Sequence, residues 1–260
     1  MAAIASPMTR EVSSSRYGTS MPDVDLSVLS ASRHGSFPLR GYLVKPEGEG
    51  PWPGVVLIHE IFGVDAVMRR QTERMARAGY LTLAVDLYSA GGAKRCVVST
   101  MRSLFSATGR AYTDIETARQ WLLASTDCTS KVGVIGFCMG GGFALVSAGT
   151  GFDAAAANYG QLPKDYGDVL ARACPIVGSY GAKDKSLKNV AQKLDDALRV
   201  AGITHDVKEY DGAGHSFMND APVGPRLLRP LLKIAGMGPQ PAAAADAWRR
   251  IEEFFAQHLT

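Results

Sequence analysis

The chain has 260 residues, and its composition is that of a globular protein with enough apolar side chains to bury a core. Hydrophobic residues make up 46% of the sequence, charged residues make up 20%, and the formal net charge is only +3. This small excess, without a long run of Lys or Arg, argues against a nucleic-acid-binding or membrane-surface protein. No apolar run approaches the roughly 20 residues that cross a bilayer, and the first residues lack the apolar core of a signal peptide.

The four cysteines, Cys96, Cys128, Cys138 and Cys174, form no CxxC pair and no Cys/His cluster at metal-ligand spacing. A chain of this length does not need disulfides to stabilise its core, so we expect reduced thiols and a cytoplasmic location. We also expect no metal ion and no cofactor. The sequence shows no exposed apolar stripe, and we therefore expect a monomer.

In chain order, the pattern begins with a flexible leader over residues 1–22 and two strands, 24–30 and 39–44, joined by a polar turn. Beyond residue 46, short apolar runs alternate with longer amphipathic segments. The predicted strands are 54–58, 81–85, 132–135, 154–159, 176–180 and 205–210, and the predicted helices are 68–78, 113–124, 141–148, 187–201 and 243–258. This alternation predicts a single α/β domain over 23–260, with a mostly parallel sheet flanked by helices on both faces.

One segment, 221–242, interrupts this alternation. Its five prolines exclude one continuous helix, whereas its two leucine pairs favour packing against the body of the protein. We expect a short helical segment here, which we call the proline-rich flap (residues 221–242). Because it directly follows a glycine-rich loop containing His215, we expect it to border a pocket.

The most informative motif is the Gly-Phe-Cys-Met-Gly sequence of residues 136–140, which follows an apolar strand and precedes an apolar helix. This is the G-x-nucleophile-x-G pattern of the α/β-hydrolase fold, in which glycines allow a sharp strand-to-helix turn. The turn places Cys138 at a helix N-terminus, where the helix dipole favours a thiolate. The alternative is that Cys138 is a small buried apolar residue, which its position in this turn disfavours.

A nucleophile of this kind requires a base and a group that orients the base, in the chain order nucleophile, acid, histidine. Asp184 follows the strand 176–180 in a glycine-containing turn, and His215 lies on a glycine-rich loop after the strand 205–210. Asp184 would fix the tautomer of His215 and stabilise its imidazolium. Two alternatives stay open: Asp184 caps the helix that follows it, or Asp211 takes its role.

The loop after the first parallel strand adds a second group of candidates. In this fold it donates an amide N–H to the oxyanion hole, here predicted to be that of Ile61, with Met139 supplying the other. An ionised Glu60 beside that loop would repel the negative charge that develops on the substrate. Its presence is explained if it forms a salt bridge or if it exchanges a proton with the thiol. The role of His59, at the end of the same strand, stays open.

These motifs together resemble the dienelactone hydrolase family, the carboxymethylenebutenolidases. The matching segments are 59–64 (HEIFGV), 86–88 (DLY), 136–141 (GFCMGG), 159–160 (YG), 181–184 (GAKD) and 214–217 (GHSF), in order along most of the chain. The resemblance implies a carboxylic ester hydrolase whose partner is a small-molecule ester or lactone, not nucleic acid or a membrane. It also implies that Tyr88, Tyr159, Ser216 and Phe217 contact the substrate.

The implied mechanism begins with Cys138 as a thiol near Glu60, which takes the proton when substrate binds. The thiolate attacks the ester carbonyl, the amides of Ile61 and Met139 hold the oxyanion, and His215, oriented by Asp184, handles protons during release.

The chain departs from the family in two places. Lactone-acid members bind the substrate carboxylate with an arginine just after Asp-Leu-Tyr and with another a few residues past the histidine. Here Ser89-Ala90-Gly91 and Met218-Asn219-Asp220 occupy those places. Arg95 or Arg226 could substitute from nearby loops. Because an unpaired anion in an apolar pocket is costly, a less charged ester is at least as good a candidate as a dienelactone.

Other classes of function would leave different signs. A non-catalytic relative that binds a small ligand would show no activity on any ester, and a thioesterase would prefer acyl thioesters. A thiol redox sensor would need a resolving cysteine, which the spacing does not supply. A haloalkane dehalogenase would need a carboxylate at position 138.

Overall fold

The computed structural model describes residues 23–224, 227, 229–234 and 236–260. The predicted leader, 1–22, and Arg226 therefore lie outside the described residues. A single sheet organises the described part of the chain, with eight strands in the order β1-β2-β4-β3-β5-β6-β7-β8. The strands are β1 (Asp23–Asp25), β2 (Arg40–Val44), β3 (Trp52–Ile58), β4 (Leu81–Asp86), β5 (Cys128–Phe137), β6 (Ala154–Asn158), β7 (Ile176–Gly181) and β8 (His205–Tyr210).

The sheet is antiparallel only where β1 pairs with β2 and β2 pairs with β4, and every other pairing is parallel. The central strands are mainly apolar over their buried lengths because both faces are covered there, and the four side chains from Val55 to Ile58 have no exposed surface. The predicted α/β-hydrolase fold with a mostly parallel sheet is confirmed. Parallel register brings the carboxyl ends of β3, β5, β6 and β7 to one edge, where such folds bind ligands.

Nine helices flank the sheet in the described part of the chain. They are α1 (Ser27–Ser32), α2 (Ala66–Arg77), α3 (Ala93–Ser106), α4 (Arg110–Leu123), α5 (Met139–Ser147), α6 (Tyr166–Leu170), α7 (Val190–Ala201), α8 (Arg229–Ile234) and α9 (Pro241–Leu259). Among the residues described, none of these helices combines the length and the apolar composition that crossing a membrane requires.

The prediction of a strand over 24–30 is wrong beyond its first residues. The strand β1 ends at Asp25, and α1 begins at Ser27. The Asp25 carboxylate accepts a hydrogen bond from the Ser27 backbone N–H at 2.8 Å, which turns the chain out of the extended conformation. Buried Ser30 then donates its hydroxyl to Asp114 on α4. Local capping and one long-range contact therefore override the alternating pattern of this segment.

Helix α3 was not predicted, and several predicted helices begin at other residues. The α3 segment has no capping side chain, and Gly92, at φ 73°, precedes it. Helix α2 begins two residues before the predicted position because Asp65 caps it, accepting hydrogen bonds from the amides of Val67 and Met68. The predicted helix 187–201 begins at Val190, because Asn189, at φ 62°, interrupts the chain after a short 3-10 turn.

The proline-rich flap contains α8 and returns to the loop that carries His215. The amide of Gly238 donates to the carbonyl of His215 at 3.0 Å, and the amide of Gln240 donates to that of Phe217 at 2.9 Å. The flap also reaches the loop after β3, since a Cβ on Gly224 would lie 3.2 Å from the Phe62 ring. The flap thus borders the sheet edge where the predicted site residues lie.

Candidate active site

The turn between β5 and α5 holds Cys138 in a conformation that few residues with a side chain adopt. Its backbone has φ 54° and ψ −117°, and its side chain is partly exposed at the N-terminus of α5. The flanking glycines are required by close contacts of the backbone. A Cβ on Gly136 would lie 1.9 Å from the carbonyl oxygen of Gly140, and a Cβ on Gly140 would lie 2.2 Å from that of Ile58.

His215 and Asp184 lie in line with the sulfur of Cys138. The His215 Nε2 atom is 3.0 Å from the Cys138 Sγ atom, and the His215 Nδ1 atom forms a short hydrogen bond with Asp184 Oδ2. Asp184 also caps the 3-10 turn that follows it, because its Oδ1 accepts from the amide and hydroxyl of Ser186 at 3.0 and 2.6 Å. Asp184 therefore binds His215 and caps the following turn at once, and its catalytic role stays a prediction. Asp211 is exposed and forms no hydrogen bond with His215 in the described part of the chain.

The surroundings of His215, between Asp184 and Cys138, favour the protonated, imidazolium form of its ring. Burial by itself would raise the pKa of Asp184, but the hydrogen bond and charge of His215, together with Ser186, hold it below its usual value. Burial lowers the pKa of His215, yet its hydrogen bonds and charge interactions with Asp184 and Cys138 outweigh that effect and raise the pKa to about 10. With Nδ1–H fixed on Asp184, Nε2 is the ring nitrogen that faces the sulfur.

The predicted oxyanion amides lie in the turn that follows Cys138 and in the loop that follows β3. Met139 is the first residue of α5, so its N–H has no partner within the helix. Neither the Met139 amide nor the Ile61 amide donates a hydrogen bond within the described residues. The Tyr88 hydroxyl donates to the Ile61 carbonyl oxygen at 3.0 Å and lies 3.6 Å from the sulfur of Met139, so Tyr88 ties these two turns together.

Glu60 is buried, with 4% of its surface exposed, and its main partner is an amide side chain. The Nδ2 atom of Asn219, itself 4% exposed, donates to Glu60 Oε2 at 3.1 Å, while Oε1 has no partner in the described part of the chain. Burial raises the pKa of Glu60, although hydrogen bonds and the charge of His215 act against it. In the sequence, Asn219 stands out only as a position without arginine, and no local pattern links it to a residue 159 positions away.

His59 has both ring nitrogens occupied by backbone groups. Its Nδ1 atom lies 2.6 Å from the Glu60 carbonyl oxygen, and its Nε2 atom accepts from the Leu87 amide at 3.1 Å. Since Leu87 supplies a proton, Nε2 is unprotonated and Nδ1–H donates to Glu60. Complete burial lowers the pKa of His59 and keeps the ring neutral. His59 therefore fixes the backbone at the ends of β3 and β4 and does not face the sulfur.

The four residues predicted to contact substrate form the buried wall of the site. Tyr88, Tyr159, Ser216 and Phe217 each have 3% or less of their surface exposed. The Tyr159 ring packs edge-on against His215 and Phe217, at centroid distances of 5.3 and 5.6 Å. Tyr159 and Ser216 also have positive φ angles, 41° and 57°. Their direct contact with substrate stays a prediction.

Of the two arginines discussed near the carboxyl edge of the sheet, one is ion-paired and the other is exposed to solvent. Arg70 holds Asp220 through two hydrogen bonds, with Nε to Oδ2 at 2.5 Å and Nη2 to Oδ1 at 2.7 Å. Arg95 is exposed on α3. Among the described residues, no grouping of three or more His, Cys, Asp or Glu side chains could hold a metal ion.

A parallel sheet with a glycine-flanked turn after its central strand, and an acid and a histidine on later loops, defines this chain as an α/β-hydrolase. The model of the dienelactone hydrolase family matches residues 39–259, and the chain belongs to that family. The enzyme class of the protein is accordingly that of the carboxylic ester hydrolases.

Known proteins of the same size resemble the chain over most of its length. A Yersinia pestis protein named "Putative carboxymethylenebutenolidase" is 30% identical over 239 residues, which cover 85% of this chain and 84% of that one. The carboxymethylenebutenolidase of Rhodococcus opacus is 27% identical, with 84% of this chain and 86% of that one covered. The crystal structure of P91, a dienelactone hydrolase-like promiscuous phosphotriesterase from metagenomic libraries, superposes with a TM-score of 0.75. It is 23% identical, covers 92% of this chain and 98% of its own, and shows the similarity of fold.

Proposed function

We propose that the protein hydrolyses small, uncharged esters or lactones with Cys138 as nucleophile, His215 as proton carrier and Asp184 as its orienting group. The observation that carries the proposal is the line of three side chains, in which Nε2 of His215 lies 3.0 Å from the Cys138 sulfur and Nδ1 is bound to Asp184. A thiol at a helix N-terminus that faces a partly buried histidine has the surroundings of a reactive cysteine.

The reaction proceeds through a thioester. The thiol proton passes to His215 Nε2, which forms the imidazolium that Asp184 and the sulfur stabilise, and the resulting Cys138 thiolate attacks the ester carbonyl carbon. The amides of Ile61 and Met139 hold the oxyanion. When the carbon–oxygen bond breaks, the leaving alkoxide takes the proton from His215, and a lactone keeps this alcohol tethered. Water then loses a proton to His215 and attacks the thioester, the carbon–sulfur bond breaks, and the protonated histidine returns a proton to the sulfur.

The charges near the site support an uncharged substrate. The places at which lactone-acid members of the family carry arginines are occupied here by Ser89 to Gly91 and by Met218 to Asp220. Arg70 already pairs with the Asp220 carboxylate, and Arg95 is exposed on α3. A substrate carboxylate that entered the buried site would lose its hydration without an arginine buried beside it, because Arg70 is already paired and Arg95 is exposed.

The test compares two cysteine substitutions with wild type on p-nitrophenyl acetate, on neutral lactones and on their carboxylate-bearing analogues. We expect Cys138→Ala to lower kcat/KM by at least roughly 1,000-fold. Cys128→Ala, at the opposite end of β5, is the matched control and is expected to keep wild-type activity. Undiminished turnover by folded Cys138→Ala would refute the thiol mechanism, and a preference for the carboxylate-bearing analogues would refute the substrate class.

We further propose that the protein acts as a monomer in the cytoplasm. Its four cysteines are unpaired, which supports a reducing compartment. Sedimentation at micromolar concentration tests the monomer, and a dimer there would refute it.

A further inference from the structure

His59 is a buried polar side chain to which the proposed mechanism gives no task. Its ring has no exposed surface, and both of its nitrogens bind backbone groups. Nδ1 lies 2.6 Å from the Glu60 carbonyl oxygen, and Nε2 accepts a hydrogen bond from the Leu87 amide at 3.1 Å. Because Leu87 supplies the proton of the second bond, the first bond is a donation from Nδ1–H. A neutral imidazole is therefore fixed on one side and directs its single N–H at one carbonyl group.

The carbonyl group that His59 holds belongs to the same peptide unit as a predicted oxyanion donor. In a trans peptide, the C=O of one residue and the N–H of the next point in opposite directions. The C=O of Glu60 points towards the buried imidazole and accepts a second hydrogen bond, from the Gly63 amide at 3.1 Å. The N–H of Ile61 therefore points away from His59, and it donates no hydrogen bond to any residue that the structure describes.

The loop after β3 lies directly against the first turn of α5. A Cβ on Gly140 would lie 2.2 Å from the Ile58 carbonyl oxygen and 2.8 Å from that of His59. The Tyr88 hydroxyl donates to the Ile61 carbonyl oxygen at 3.0 Å, so it holds the peptide unit that follows the predicted donor. The peptide units before and after the Ile61 Cα atom are thus each held by a buried side chain.

We propose that His59 is a positioning residue of the oxyanion hole, whose Nδ1–H holds the Glu60 carbonyl oxygen and thereby aims the Ile61 amide at the oxyanion of the reacting ester. This inference rests on the proposed function, because it states how one amide of that site is oriented. The oxyanion forms only as the carbonyl carbon becomes tetrahedral, so a correctly aimed amide stabilises the transition state more than the bound ester. Complete burial lowers the pKa of His59 against the opposing effect of Asp86 and Asp65, which keeps the ring neutral.

Two substitutions of similar size separate this positioning from packing. His59→Asn keeps an N–H donor near the place of Nδ1–H, whereas His59→Leu has none, and both lose the acceptor of the Leu87 amide. Removal of one oxyanion donor costs about 10²–10³ in kcat, so for p-nitrophenyl acetate we expect His59→Leu to lower kcat by at least about 30-fold. Its KM is expected to change by less than about threefold, because the lost interaction forms only in the transition state. His59→Asn is expected to keep kcat within about fivefold of wild type, because it restores the donor.

His205→Leu is the matched control. The Nδ1 atom of His205 also lies 2.6 Å from a backbone carbonyl oxygen, that of Ile203, but at the start of β8 and away from the carboxyl edge of the sheet. We expect wild-type kcat for this variant. If His59→Asn loses as much kcat as His59→Leu, if His59→Leu keeps wild-type kcat, or if only KM changes, the positioning role is overturned.

The tautomer of His59 is measurable without turnover and in the wild-type protein. Nitrogen NMR of isotope-labelled protein is expected to show Nδ1 protonated and Nε2 unprotonated, unchanged from about pH 5 to pH 8, where an ordinary histidine titrates. The signals are assigned by their absence in His59→Asn, and an Nε2–H tautomer would overturn the proposal. The two proposals fail separately. An inactive wild type refutes ester hydrolysis while the tautomer still decides whether His59 holds the carbonyl group, and an active wild type with Nε2–H refutes only the positioning role.

Discussion

The substitution Asp184→Asn tests the proposed proton path at the residue that orients it. Asparagine can keep its oxygen in the place of Oδ1, where it accepts from Ser186, so the 3-10 turn is retained. Its NH2 group then replaces Oδ2 and donates to His215 Nδ1, which forces the ring proton onto Nε2. Two donors, the thiol and Nε2–H, then face each other across the 3.0 Å gap, and the thiol proton has no acceptor.

We expect kcat for p-nitrophenyl acetate to fall by between about 10² and 10⁴, as when the carboxylate of such a triad becomes an amide. Exchanging a hydrogen bond to a charged group for a neutral one lowers the free energy of unfolding by about 1 kcal/mol, or roughly 2–4 °C in Tm for a domain of this size. Steady-state kinetics and thermal unfolding measure the two effects. Ser186→Ala is the matched control, since it removes a hydrogen bond from Oδ1 and leaves the Asp184–His215 contact in place. A folded Asp184→Asn variant with wild-type kcat would refute the assignment.

Two further predictions concern the turn and the histidine. Gly140→Ala places a Cβ 2.2 Å from the Ile58 carbonyl oxygen, so we expect a loss of at least about 1–3 kcal/mol in urea unfolding. Gly167→Ala, whose Cβ meets nothing within 4 Å in α6, is expected to leave stability equal or higher, and equal stability of both variants would contradict the steric argument. Since the folded state raises the pKa of His215 from 6.5 to about 10, its contribution to stability is fully present below pH 6.5 and is lost as pH rises through about 10. The Tm difference between wild type and His215→Gln is therefore expected to shrink over that range, and a difference that grows with pH would contradict it.

The turn at Cys138 could be predicted because its chemistry is local. Two glycines at fixed spacing between a strand and a helix leave few other conformations, and the structure shows why each lacks a Cβ. The position of Asp184 at the end of β7 and that of His215 after β8 follow from the parallel sheet, in which strand ends share an edge. Local sequence and strand order together were sufficient to predict the positions of these three residues in the fold.

Other features depend on contacts that sequence spacing does not encode. Residues 24–30 alternate like a strand, but the Asp25–Ser27 turn and the Ser30–Asp114 hydrogen bond hold most of them in α1. Helix α3 lacks a capping side chain, which removes the signal that marks a helix start. The partner of Glu60 is Asn219, 159 residues away, and only the folded chain shows that a neutral amide holds this carboxyl group.

The backbone of the site is strained at three residues, and the packing around it explains how that strain persists. Cys138, Tyr159 and Ser216 all have positive φ angles, each of which costs about 1–3 kcal/mol in a residue with a side chain. Phe217 has no exposed surface and packs its ring against Tyr159, whose ring in turn lies 5.3 Å from that of His215. Close-packed rings of this kind cannot shift independently, so they hold the strained turns in a single arrangement. The sulfur and the imidazole are therefore positioned before an ester arrives, and the proposed mechanism requires this for stabilisation of the transition state without reorganisation.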